Sequence, residues 1–191
     1  MISHNHALRG YIIAMTSNQK HSNALEFDRV VDSFWDEILS YLWRLYSGAP
    51  EAEDSFQETF LRAFRAYPEL DRNANVRAWL YRIATNVART DFKRKQNRRL
   101  REQRYAKEIL SNRDLTHDKV EQHMLFDQAM AMVRALPLKQ RAAFMLRKYQ
   151  GCSYEEIGAI LECSHEAARA NVYQALRKLK AEAKKIEVEQ P

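Results

Sequence analysis

From Leu25 onward, apolar residues recur at Phe27, Val30, Val31, Phe34, Ile38, Leu42 and Leu45. Steps of three and four keep one face of a helix apolar, so the stretch predicts an amphipathic helix. Gly48 and Pro50 mark its end, because glycine accepts a left-handed closing residue and proline cannot extend the hydrogen-bond ladder. A second helix opens on Glu51, Glu53 and Asp54, whose charges suit the positive end of a helix dipole. It stacks Phe56, Phe60 and Phe64 at four-residue spacing and stops near Pro68. The polar run Asp71–Asn75 reads as a loop. A third helix then carries Val76, Trp79, Leu80, Ile83, Ala84 and Val87 on one face and enters a basic run. These elements predict a helical domain over residues 24–95.

Residues 1–23 lack periodicity and read as a flexible arm, with Met15 an alternative start to Met1. Residues 96–125 are polar, with few apolar anchors, and read as a flexible linker that is helical at most in part. A second helical domain is expected over 126–185, followed by a tail over 186–191. Its first helix covers about 123–134. Pro137 is placed to open the next, which turns Ala143, Phe144 and Leu146 inward and ends at Gln150-Gly151. Ser153 with Glu156 three residues on forms a capping box, which fixes the start of a short helix through Leu161. Ser164 can cap a further helix to about Lys180. Two helices joined by so short a turn match a helix-turn-helix. In the second of them Ala168, Val172, Ala175, Leu176 and Leu179 face a core. His165, Arg169, Asn171, Tyr173, Gln174 and Arg177 stay outside, where such groups can reach base edges and phosphates. A plain helical hairpin with a polar exterior also satisfies the capping; the neighbouring basic helix weighs against it. The fold class is therefore all-α: two small helical domains joined by a flexible linker, the C-terminal one containing a helix-turn-helix.

Composition supports helices. Only four glycines and four prolines occur in 191 residues, too few turn-formers for a strand-rich sandwich or a glycine-loop nucleotide fold. The net charge of +6 is unevenly spread: residues 89–107 carry +7 and residues 134–185 carry +6, with an acidic stretch between them. Two basic blocks, each on a helical unit, suggest two modules on one polyanion. Cys152 and Cys163 cannot staple a secreted mini-domain and suit a reducing cytoplasm; buried packing is their default role and redox sensing the alternative. No apolar run reaches the ~20 residues that span a bilayer, so membrane insertion is not expected. No Walker loop, G-x-S-x-G elbow, HExxH motif or CxxC pair is present, and His117, His123 and His165 form no ligand pattern. The expectation is no enzyme, no catalytic residue, no metal and no cofactor.

Three blocks carry a resemblance. Glu53-Asp54-Ser55-Phe56-Gln57-Glu58-Thr59-Phe60, Arg77 through Asn86, and Leu136 through the helix-turn-helix occur in this order, with a linker before the last. So arranged, the chain resembles an extracytoplasmic-function (ECF) sigma factor, a bacterial transcription initiation factor, over about residues 25–182. The resemblance implies a sigma region 2 domain at 24–95 and a region 4 domain at 126–185. It implies that Asp54, Gln57 and Glu58 bind core RNA polymerase at the β′ clamp. Arg77, Arg82, Asn86, Arg89, Lys93 and Arg94 would meet the −10 promoter element, and Arg169, Asn171, Tyr173 and Gln174 the −35 element. Tyr81, and with less reason Trp79, are aromatic candidates for unstacked bases, and the loop Asp71–Asn75 is a candidate for a flipped one. The implied partners are core polymerase through its β′ clamp and β flap, promoter DNA, and an anti-sigma protein. Two departures stand out. Glu162 occupies a turn position where the family usually has glycine, so it must tolerate or avoid a left-handed backbone. Gly158 lies inside a helix, where glycine costs up to ~1 kcal/mol relative to alanine. The alternative reading is a stand-alone helix-turn-helix regulator that binds DNA as a dimer.

Overall fold

Large aromatic side chains hold the N-terminal half together. The computed structural model describes residues 21–109 and 124–189; residues 1–20 of the expected arm, with its alternative start at Met15, and part of the expected linker lie outside the described residues, while the arm's last three residues are helical. Helix α1 (His21–Leu45) lies against α2 (Glu51–Ala66), which continues through a 3₁₀ turn (Tyr67–Glu69). Phe27 meets Phe64 and Tyr67 edge-on at 5.4 and 5.3 Å, while Trp35 stands edge-on to Phe56 at 4.6 Å. Of these rings Phe27 and Phe56 are buried, and each contributes about 1.5–3 kcal/mol through surface removed from water. Helix α3 (Val76–Ile109) closes the bundle. Its Tyr81 packs edge-on against Tyr41 at 5.0 Å, and the buried Tyr41 hydroxyl bonds Thr85 Oγ1 at 2.7 Å. Trp79 sits in the core, as its helical position implies. Helix α3 runs unbroken past residue 95 to Ile109, so the opening stretch of the expected linker is helical.

Among the described residues, the C-terminal half buries one large ring, Phe144, and relies on aliphatic side chains, alanines and caps. Helices α4 (Met124–Ala135), α5 (Leu138–Lys148), α6 (Tyr154–Leu161) and α7 (His165–Glu189) pack through Ala142, Ala143, Ala168 and Ala175 beside Leu146, Ile157, Ile160 and Val172. Both bonds of the capping box form: Glu156 N donates to Ser153 Oγ at 3.1 Å, and Ser153 N donates to Glu156 Oε2 at 2.7 Å. The turn after α6 closes with Cys163 N on Gly158 O at 2.9 Å, and Glu162 adopts φ 52°, tolerating the left-handed backbone rather than avoiding it. That closure explains Gly158, since a Cβ there would stand 2.8 Å from the Cys163 carbonyl. Ala167 N donates to Ser164 Oγ at 3.2 Å, which caps α7 as expected.

Three arginines join the halves. Arg141 of α5 is buried and donates to the carbonyls of Leu45 at 3.0 Å, Leu136 at 3.2 Å and Arg134, with its guanidinium 5.3 Å from the Phe92 ring. Arg77, at the start of α3, donates to Glu37 and to the Gln150 carbonyl at 2.6 Å, and approaches Cys152 Sγ at 3.7 Å. Arg44 adds a cation–π contact to Tyr149 at 4.9 Å.

Candidate protein and nucleic-acid interfaces

The first surface lies on α2. Its aromatic stripe points inward, which leaves Asp54 and Gln57 exposed and Glu58 half-buried. Glu58 pairs with Arg62 one turn on at 2.7 Å. Asp54 and Glu58 share an open cleft between α2 and α3 with Glu51, Arg62, Thr90, Asp91 and Arg94. Beside it the Tyr46 hydroxyl accepts from Ser55 Oγ at 2.5 Å and donates to Asp91 at 3.1 Å; burial pushes that phenol well above its usual range. Lys95 bridges Glu51 at 3.0 Å and Asp91 at 3.1 Å. Burial opposes the Lys95 charge, but its two carboxylate partners outweigh this and raise its pKa. The Glu51 carboxyl is lowered, chiefly by backbone N–H at the start of α2 and then by Lys95. Lys95 is thus a tie between α2 and α3 rather than an open phosphate contact.

The second surface is on α3. Arg82, Asn86, Arg89 and Lys93 follow one another at steps of four, three and four, so they form a single stripe along the helix. Arg82, Arg89 and Lys93 are exposed and Asn86 is half-buried. Arg94 is also exposed but turns about a quarter of the way round, into the cleft with Asp54 and Glu58. Arg77 lies on another face, toward the C-terminal half. Burial works against its charge, yet the Glu37 carboxylate more than compensates and raises its pKa. Tyr81 is fully buried with its hydroxyl on Glu37 at 2.6 Å, so in this arrangement it offers no platform for a base. In the loop before α3, Asp71 Oδ1 accepts from Asn73 N at 2.7 Å and Asn75 Oδ1 from Ala78 N at 3.0 Å, which occupies two of the loop's polar side chains with its own shape.

The third surface is the outer face of α7. Arg169 is exposed and Tyr173 is 65% exposed, one turn apart. Asn171 Nδ2 donates back to Ala167 O at 2.8 Å. Gln174 Oε1 accepts from Gln140 Nε2 of α5 at 2.6 Å, and Gln140 Oε1 is buried without a hydrogen-bond partner. At the front of the helix, His165 Nε2 lies 3.4 Å from Glu155, which links α6 to α7. An apolar groove between α4 and α7, lined by Met132, Ala135, Leu136 and Leu179, forms a fourth feature.

Sequence reasoning missed Glu37 and Gln140. Glu37 follows Val30 and Phe34 in the same helical period, and a carboxylate on that inward side was a readable signal. Gln140 had none, since its partner is 34 residues away. Both cysteines are free thiols; Cys152 is buried, which raises its pKa, and Cys163 is half-buried. Among the described residues, no group of His, Cys, Asp and Glu is placed to hold a metal ion, and no helix is long and apolar enough to cross a membrane.

A helical bundle with an acidic cleft and a basic stripe, joined to a helix-turn-helix, has the parts of a sigma-type initiation factor. Residues 30–99 match Sigma-70 region 2, and residues 126–179 match Sigma-70, region 4. The chain is 32% identical to the ECF RNA polymerase sigma factor EcfG of Rhodopseudomonas palustris, over 80% of this chain and 86% of the relative. It is 30% identical to the RNA polymerase sigma-H factor of Pseudomonas aeruginosa, over 78% of this chain and 81% of that one. The fold is similar to that of the sigma factor RpoE solved in complex with the anti-sigma factor NepR from Bartonella quintana. That match has TM-score 0.62 at 23% identity and covers 83% of this chain and 97% of that one. The chain belongs to the ECF family of RNA polymerase sigma factors. It is a non-enzymatic initiation factor that directs promoter-specific transcription, binding DNA through its region 4 helix-turn-helix. Binding to RNA polymerase follows from the family, and the stand-alone regulator is set aside.

Proposed function

We propose that the chain meets polymerase and promoter through the four features just described. Asp54, Gln57 and Glu58 dock on the β′ clamp through the outer face of α2. Arg82, Asn86, Arg89, Lys93 and Arg94 engage the −10 element as it opens. The stripe's cations track phosphates, and Asn86, the one amide among them, hydrogen-bonds an exposed base edge. Arg169, Asn171, Tyr173 and Gln174 read the −35 element from the major groove. The apolar groove between α4 and α7 receives a helix of the β flap. Arg77, also expected at the −10 element, is held by Glu37 and Gln150 here. It reaches DNA only when the halves separate and the Glu37 contact also opens.

The observation that carries this reading is the Arg82–Asn86–Arg89–Lys93 stripe, which runs beside the acidic cleft without entering it. A docking face and a strand-binding face on adjacent helices let one small domain hold polymerase and DNA together. An anti-sigma protein completes the proposed partners: by covering these faces, it would keep the chain from polymerase. The test is in-vitro transcription with purified core polymerase. The pair Asp54→Ala and Gln57→Ala should weaken core binding by about ten-fold or more with helicity unchanged. Lys93→Ala should leave core binding intact but reduce the dependence of promoter binding on salt by about one counterion. Unchanged core affinity in the first variant rejects the docking face, and an unchanged salt slope in the second rejects the stripe.

A further inference from the structure

We propose that Gln140 is a positioning residue that sets which end of the Gln174 amide meets the promoter; the inference rests on the reading of α7 as the −35 helix. A glutamine amide donates from one end and accepts at the other, and its two orientations have nearly the same shape. An untethered glutamine can therefore serve either a base edge that accepts or one that donates. Here Gln140 Nε2 donates to Gln174 Oε1 at 2.6 Å, which turns the Gln174 carbonyl toward α5 and its Nε2 hydrogens outward. The pair is a poor device for stability, because Gln140 Oε1 is left buried and unpaired. Its consequence is orientation. In the major groove guanine presents two acceptors, N7 and O6, whereas cytosine presents the N4 donor and adenine adds its N6 donor beside N7. Thymine offers a single acceptor, O4, so an outward-facing Nε2, with two hydrogens to give, favours guanine over thymine and disfavours cytosine most.

The experiment uses holoenzyme assembled from core polymerase and the full-length chain, with promoters selected from a randomised upstream element. The native chain should prefer guanine at one position by on the order of ten-fold. Gln174→Ala should abolish that preference and no other. Gln140→Glu supplies an acceptor where the donor was. It should draw Gln174 Nε2 inward, turn Oε1 outward, and move the preference at that position to cytosine or adenine. Gln140→Met keeps the bulk without the tether and should broaden the same position, which covers the case in which a buried carboxylate prevents folding. If Gln174→Ala leaves the selected motif unchanged, the reading of α7 at this residue fails. If Gln174→Ala alters the motif while both Gln140 variants keep guanine, or lower binding equally at every base, the reading of α7 stands and the positioning role is overturned.

Discussion

The two halves of the chain both bury alanines where helices meet, but they differ in how much aromatic bulk they add to them. In the N-terminal half the largest fully buried side chains are the rings of Tyr41, Tyr81, Phe27 and Phe60, packed with Ile38, Leu42, Leu45 and Leu80. In the C-terminal half alanines at 142, 143, 168 and 175 let helices approach closely, and the turn and cap around α6 set the geometry. Their working faces differ in the same way. The α3 stripe is open along its length, as suits a surface that follows a flexible strand. On α7, two of the four expected base-reading side chains are tied, Asn171 to its own helix and Gln174 to Gln140. A reader of duplex sequence gains from side chains ordered in advance; a binder of opened strand gains less. Bulk positions the first half and backbone closure the second.

Removing bulk should therefore cost most in the N-terminal half. Phe60 is 1% exposed and touches Phe27, Trp35 and Phe56. Phe60→Ala should lower stability by about 3–5 kcal/mol through the lost burial and the cavity left behind. Hydrogen exchange resolved by segment checks where the loss falls. It should appear in α1 and α2, with α6 and α7 far less affected. Equal loss in both halves would show that Arg77 and Arg141 make them one cooperative unit, and the contrast drawn here would collapse.

Adding bulk should hurt most in the C-terminal half. Helix propensity alone predicts that Gly158→Ala stabilises α6 by up to ~1 kcal/mol. The closure of the turn predicts the opposite, because the new Cβ would meet the Cys163 carbonyl at 2.8 Å. Backbone on both sides of that contact leaves no flexible side chain to give way, and overpacking of this kind costs about 1–3 kcal/mol. Thermal unfolding gives the sign directly. Promoter binding should weaken with it while affinity for core polymerase through α2 holds; a stabilised variant would mean that the turn yields easily.

What the sequence disclosed divides along the same line. Signals confined to a few residues were legible: the acidic opening of α2, the three-phenylalanine stripe, the Ser153–Glu156 box and the Ser164 cap. Interactions that join distant segments were not. Glu37 lies 40 residues from Arg77, and Arg141 lies 96 residues from the Leu45 carbonyl, so no window along the chain contains either pair. Tyr81 looked available because it falls off the apolar stripe of α3, yet Tyr41 covers its ring and Glu37 holds its hydroxyl. The far end of α3 was read as part of a linker because residues 96–102 are exposed all round, and a helix without a buried face leaves no periodicity to detect. Of the expected surface residues, the sequence pattern correctly left Asp54, Gln57, Arg82, Arg89 and Lys93 exposed, whereas the capture of Arg77 between the halves and the tethering of Gln174 needed the fold.

The smallest effects offer the closest comparison, because both halves contain the same backbone device. Ser47, in the turn between α1 and α2, has φ 55°, and Glu162, in the turn between α6 and α7, has φ 52°. A left-handed backbone costs an ordinary residue about 1–2 kcal/mol, which glycine avoids. Glycine also gains freedom in the unfolded chain and gives back about 0.4–1 kcal/mol of that advantage. Glu162→Gly should therefore stabilise the protein by no more than about 1.5 kcal/mol. Since Glu162 is exposed and α7 keeps its Ser164 cap, the selected promoter sequence should not change. Ser47 is buried and its hydroxyl has no hydrogen-bond partner, so Ser47→Gly removes a stranded polar group as well as the strain. Its gain should exceed that of Glu162→Gly when the two are compared by urea unfolding under the same conditions. If the order reverses, the turn between α6 and α7 stores more strain than its exposed position suggests, and backbone closure dominates the C-terminal half even more than the Gly158 contact implies.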